Sequence, residues 1–154
     1  MLIERSTFLP CPVSRCMAEV MTPRLLSYVA SPIVSFMPLN PTEWPQQWQE
    51  KKYLVGMRLF GFIPFGSQTV NISVLSRSPQ HLELRDNGYS GFIPKWDHLI
   101  TIKGVEGGTL YTDRIEVQAR LFTPFVWVFA WLFYRHRQRR WEKLVVDGFS
   151  YEQP

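Results

Sequence analysis

The sequence predicts an α+β fold in which a curved antiparallel sheet and two short helices wrap around one long C-terminal helix. Three observations carry this expectation. Apolar residues alternate at period two between Lys51 and Ala119, interrupted by short turn signals. The chain closes with a long helical stretch from about Thr123 to Val145. Ahead of the alternating region, Thr22-Pro23 divides a helical stretch into two short pieces.

Taken in order, Leu2 to Leu9 carries β-branched and aromatic residues and stops at Pro10, as a strand does. Pro12 suits the first position of a helix, and Val13, Met17 and Val20 form its apolar stripe. Thr22 then caps a second helix with Pro23 in its first turn and Leu25, Leu26 and Val29 behind. Pro32, Pro38, Pro41 and Pro45 predict an irregular segment from Ser31 to Glu50. Its Phe36, Met37, Trp44 and Trp48 are too apolar for a solvated linker, so it packs over the core edge or over a cavity mouth. Trp44 and Trp48 are lid candidates on that basis, and Phe62 is a further one.

Tyr53, Val55, Met57 and Leu59 form one apolar strand face, and Val70, Ile72 and Val74 form the next. His81 to Asp86 alternates and ends at the turn signal Asn87-Gly88. Trp96, His98, Ile100 and Ile102 follow, then the hairpin signal Glu106-Gly-Gly108, then Tyr111, Ile115, Val117 and Ala119. Strands joined by short turns make an antiparallel meander with one wet face. In the final helix Thr123 is the expected cap and Pro124 the first position. Its first half is apolar on every side, the pattern of a helix buried all round.

Composition bounds the rest. A chain of 154 residues suits one domain spanning 1–154, and 45% hydrophobic against 19% charged residues excludes a disordered chain. Cys11 and Cys16 are too few for a disulfide scaffold or a thiolate zinc site. His81, His98 and His136 are scattered, so no metal and no cofactor is expected. The start of the chain lacks a secretory pattern, which makes a reducing cytoplasm the expected location. The apolar run Leu121 to Tyr134 has 14 residues, short of the roughly 20 that span a bilayer.

The charge of +4 is local. Arg135, Arg137, Arg139, Arg140 and Lys143 against Glu142 account for all of it, leaving the remainder neutral. These five residues suit a solvated helix end favoured by the macrodipole, or weak contact with an anionic membrane surface. Nucleic acid is not an expected partner, since no recognition motif accompanies the patch.

The order of elements, with Thr22-Pro-Arg-Leu-Leu26, Trp44-Pro45, Met57-Arg-Leu-Phe-Gly61, Arg85-Asp-Asn-Gly88, Trp96-Asp-His98, Tyr111-Thr-Asp-Arg114 and Phe133-Tyr-Arg-His-Arg-Gln-Arg-Arg140, resembles the START-like helix-grip superfamily, also called SRPBCC. The resemblance spans about residues 2 to 146 and points to a bacterial group without assigned activity. It implies a helix-grip fold with a cavity between sheet and terminal helix. Lipid carriers, hormone receptors, cyclases and dehydratases share this scaffold, so it does not choose among activities.

Strand parity points three ionisable groups inward: His98, Asp113 and Asp86. Hairpin pairing brings His98 and Asp113 together, either as a buried bond that fixes register or as a tuned acid/base pair. The expected function is binding of a hydrophobic small molecule, such as a lipid, isoprenoid or aromatic compound. Trp44, Met57, Asp86, Trp96, His98, Tyr111, Asp113, Trp127, Trp131 and Tyr134 are the ligand-binding candidates. The alternatives are a cyclase- or dehydratase-type enzyme using His98 and Asp113, and a peripheral membrane protein.

Overall fold

The computed structural model describes residues 1–152; Gln153 and Pro154, the end of the expected domain, lie outside the described residues. Strand β1 (Leu2–Leu9) leads into α1 (Val13–Val20) and α2 (Pro23–Ala30). Six strands follow: β2 (Val34–Asn40), β3 (Lys52–Leu59), β4 (Ile63–Ser78), β5 (His81–Gly88), β6 (Lys95–Val105) and β7 (Gly108–Gln118). A 3-10 turn at Arg120–Phe122 enters α3 (Thr123–Val146). The strands form one seven-stranded antiparallel sheet in the order β1-β7-β6-β5-β4-β3-β2. This is the curved-sheet α+β architecture the sequence predicts.

Curvature comes from β4. Its first part pairs with β3, from Leu59↔Ile63 to Lys52↔Asn71, and its second part pairs with β5, from Ile72↔Asp86 to Ser78↔His81. Irregularities at Gly56/Arg58 in β3 and Val74/Ser76 in β4 add local twist. The sheet therefore bends around α3, which packs on β1, β7 and α2.

The helix break falls where the sequence puts it. Thr22 Oγ1 accepts a hydrogen bond from the Leu25 amide at 3.3 Å and donates to the Glu19 carbonyl at 2.7 Å. Apolar packing divides into two clusters. One lies under α1 and α2 and includes Trp141 and Leu144 of α3; the other surrounds the first half of α3 and includes Ala130, Phe133, Ile115 and Val117.

Several expectations are corrected. The segment from Ser31 to Glu50 is not irregular throughout, because β2 occupies Val34–Asn40. Pro38 is tolerated there because β2 is the sheet's edge, where an amide can go unpaired. Asn87-Gly88 is not a turn, since β5 runs through Gly88 and Tyr89 bridges to Thr69. A Cβ at Gly88 would lie 3.0 Å from the Thr69 carbonyl oxygen, so the glycine serves close strand approach. Thr123 does not cap α3; its hydroxyl donates back to the Arg120 carbonyl and accepts from the Ala119 amide. Nor is the first half of α3 buried all round. Phe125 is 75% exposed and Leu132 52%, because the sheet covers only one face of the helix. Cys11 and Cys16 are joined by a disulfide across the turn from β1 to α1, a single local bridge. No helix among the described residues is long and apolar enough to cross a membrane.

Candidate functional site

Between the bent sheet and α3 lies a cavity of about 330 Å³. Its sheet wall is built from alternate residues of neighbouring strands: Met57 on β3, Ile72 on β4, Leu84 and Asp86 on β5, Trp96, His98 and Ile100 on β6. The helix wall follows a spacing of three and four residues through Val126, Phe129, Phe133 and Arg137. Leu25 and Trp48 close the end beneath α2. The other end opens beside Phe65, Phe92, Phe122 and Phe125, all of them exposed. Phe92 and Phe122 face each other across this mouth with ring centroids 5.5 Å apart.

The polar groups gather at the midpoint of α3. His98 is opposite Asp86 in the β5–β6 ladder and opposite Ile115 in the β6–β7 ladder. Asp113, opposite Ile100, is thus its diagonal neighbour on the same face. His98 Nε2 and Asp113 Oδ1 are 2.7 Å apart. Tyr111 donates its hydroxyl to the same oxygen at 2.8 Å, and Gln138 Nε2 donates to Oδ2 at 2.9 Å. Gln138 also donates to the Arg5 carbonyl at 2.9 Å, tying α3 to β1. Asp113 is only 1% exposed, so all of these bonds are made without competing water.

Charge states follow from these surroundings. Burial raises the Asp113 carboxyl, but the His98 and Gln138 hydrogen bonds and the Arg137 charge together bring it below the usual carboxylate range. It is therefore ionised. Burial lowers His98 and outweighs the pull of Asp113, so the imidazole is neutral. An ionised carboxylate can only accept, which puts the histidine proton on Nε2. Burial thus makes this a bond between a neutral imidazole and a carboxylate. On the cavity side, burial pushes Asp86 up to about 7, against the opposing effects of the Asn71 amide bonded to Oδ1 at 2.8 Å and the Arg137 charge. Burial also raises Tyr134, whose oxygen accepts from the Trp96 indole at 3.1 Å.

The sequence candidates separate into two groups. Met57, Asp86, Trp96, His98 and Tyr134 line the cavity. Trp44, Tyr111, Asp113, Trp127 and Trp131 are not in its wall. Trp44 packs edge-on against Trp48 at 5.7 Å, and it is Trp48 that reaches the cavity. Tyr111 and Asp113 sit behind His98. Trp127 donates its indole to the Leu2 carbonyl at 3.0 Å, and the Trp131 ring lies between Arg5 and Arg135. The lid candidate Phe62 is 73% exposed on the β3–β4 turn and is not part of the cavity wall.

The expected basic surface is also divided. Arg137 turns into the cavity, Arg140 lies over the Tyr28 ring and donates to its carbonyl, and Arg135 stacks near Trp131. Arg139 and Lys143 are the exposed members of the set. Arg137, expected on the basic surface, and Gln138 were missed as members of this inner polar cluster. Their signal was available in helical spacing, since Arg137 lies four residues beyond Phe133 and Gln138 four beyond Tyr134.

Among solved structures, the chain is similar to a protein of Chromobacterium violaceum at 16% identity and a TM-score of 0.66, covering 94% of this chain and 96% of that one. A Thermus thermophilus protein matches at 8% identity and a TM-score of 0.66, over 97% of this chain and 100% of its own. A START superfamily protein of Mycobacterium smegmatis matches at 12% identity and a TM-score of 0.58, over 95% and 97% of the two chains. No family model matches the sequence, and no curated protein does. The chain has the START-like helix-grip fold.

Two stability outcomes follow from the polar cluster. Asp113→Ala strands three buried donors and should cost about 3–5 kcal/mol in urea unfolding. A cost below ~1 kcal/mol would show that the carboxylate does not hold α3. Asp86 has the opposite sign, because its folded pKa is raised above the unfolded 3.8. The protein loses stability as pH rises through that window and levels off above about 7. Asp86→Asn should gain about 2–4 kcal/mol on the wild type between the two pH values. A pH-independent difference between the two proteins would contradict the burial of Asp86.

Proposed function

We propose that this chain binds an apolar small molecule, of lipid, isoprenoid or aromatic type, in the cavity between the sheet and α3. One observation carries the reading. A space of about 330 Å³ is walled almost wholly by apolar side chains, with a few polar groups converging at one level. Small-molecule sites have this form, at roughly 300–1,000 Å³. Fold likeness supports a ligand-binding scaffold without naming a ligand. The residues assigned to contact are Met57, Trp96, Tyr134 and His98, with Asp113 fixing His98 from behind and Tyr111 holding Asp113.

A second reading rests on His98, which both lines the cavity and bonds to a buried carboxylate. In a cyclase- or dehydratase-type reaction it would exchange protons with the ligand while Asp113 orients the ring. The test is recovery of a bound compound. Chemical conversion by the wild type and not by His98→Gln supports catalysis, and recovery of unchanged compound from the wild type removes it.

The chain's two cysteines suit the cytoplasm, the location we propose, whereas the Cys11–Cys16 bridge would suit an oxidising compartment. Alkylation of thiols in protein drawn from intact cells separates the two.

Filling the cavity tests the binding reading. Titration with the apolar fluorophore N-phenylnaphthylamine should show saturable binding by the wild type. Ile100→Trp places an indole in the space and should weaken that binding about tenfold or more, with the far-UV spectrum retained. Equal binding by the two proteins would locate the fluorophore outside the cavity and contradict the reading.

A further inference from the structure

We propose that the cavity's ligand is an amphiphile with a carboxylate head group, held by the Arg137 guanidinium while its apolar body extends toward the mouth beside Phe92 and Phe125. This deepens the binding reading above and rests on it.

Arg137 is a cation without a direct polar partner among the described residues. It is half-buried, faces the cavity, and lies over the rings of Tyr134 at 4.8 Å and Phe133 at 5.8 Å. Those contacts hold the guanidinium plane, yet aromatic rings take none of its five N–H groups. Among the described residues it makes no ion pair and no hydrogen bond. Of the other arginines of α3, Arg140 bonds to the Tyr28 carbonyl, Arg139 is in water and Arg135 lies against Trp131, so Arg137 is the one that faces the cavity. An arginine fork inside an apolar space is the group that recognises carboxylate oxygens two at a time.

The surrounding acids do not fill this role. Asp113 is already saturated by His98, Tyr111 and Gln138, and it lies outside the cavity wall. Asp86 shares the wall, with its Oδ1 taken by the Asn71 amide. The groups facing Arg137 are Tyr134 on its own helix, Tyr111 and Asp113 on β7, and Asp86 on β5, with His98 on β6 in the same wall. Of these groups Asp86 is the one brought to about 7; burial raises both tyrosines and lowers His98, and Asp113 is held below the usual carboxylate range. When Asp86 is protonated, Arg137 faces the cavity with a full positive charge for an incoming anion. When Asp86 ionises, it repels that anion and competes for the guanidinium. Binding of a carboxylate must therefore weaken as pH rises through about 7.

The test compares dodecanoate with dodecanol, which share a chain and differ in charge, by calorimetric titration of the full chain. The wild type should prefer dodecanoate by about ten- to a hundredfold at pH 6. Arg137→Met should abolish the preference and leave dodecanol affinity within about threefold of wild type. Arg137→Lys keeps the charge without the fork and should retain part of the preference, and circular dichroism checks that both variants fold. Affinity for dodecanoate should fall from pH 6 to 8, and Asp86→Asn should flatten that slope. Dodecanol bound as tightly as dodecanoate, or Arg137→Met with an intact preference, would overturn this proposal alone. Binding of neither compound would overturn the cavity reading with it.

Discussion

A single buried carboxylate organises the centre of this molecule. Removing an ion such as Asp113 from water costs several kcal/mol unless its oxygens are bonded in return. Here the return comes from three elements: His98 on β6, Tyr111 on β7 and Gln138 on α3. Because Gln138 also reaches the Arg5 carbonyl, the same cluster fixes α3 against β1. The crossing of the helix over the sheet is thus set at the middle of α3 by directional bonds. Apolar packing on either side adds stability without choosing that register.

The cavity follows from this constraint. The sheet bends at β4, so it cannot stay in contact with a straight helix along its whole length. Contact is close where α3 meets β1 and β7, and space opens on the β3–β6 side. Position 138 points at Asp113, and position 137 lies about 100° around the helix, which swings Arg137 into that space. One helical turn therefore supplies both the bond that holds the fold and the cation that faces the ligand space. A neutral His98 and an Asp86 poised near neutrality complete a polar level inside an apolar chamber.

Much of this was legible in the sequence, and the reasons for the rest are physical. Period-two alternation located β3 to β7, and its parity put His98, Asp113 and Asp86 on the inner face. Thr22-Pro23 marked the helix break because a cap and a first-turn proline act locally. The edge strand β2 was hidden by Pro38, which is excluded only from strands paired on both sides. Asn87-Gly88 misled because a glycine admitting close strand approach has the same spelling as one in a turn. Arg137 was grouped with its basic neighbours by charge, although its spacing from Phe133 put it on the buried stripe. Trp127 and Trp131 were assigned to the cavity by bulk, whereas the helix turns them toward β1 and solvent.

The central claim is that the chamber under α3 is a binding site and not a packing defect. Native mass spectrometry of freshly purified protein, before and after extraction with organic solvent, tests it most directly. The account predicts a discrete mass increment for a noncovalent apolar compound, lost on extraction and regained on mixing with the extract. A bare polypeptide mass before extraction, unchanged by incubation with cell lipid extract, would contradict it.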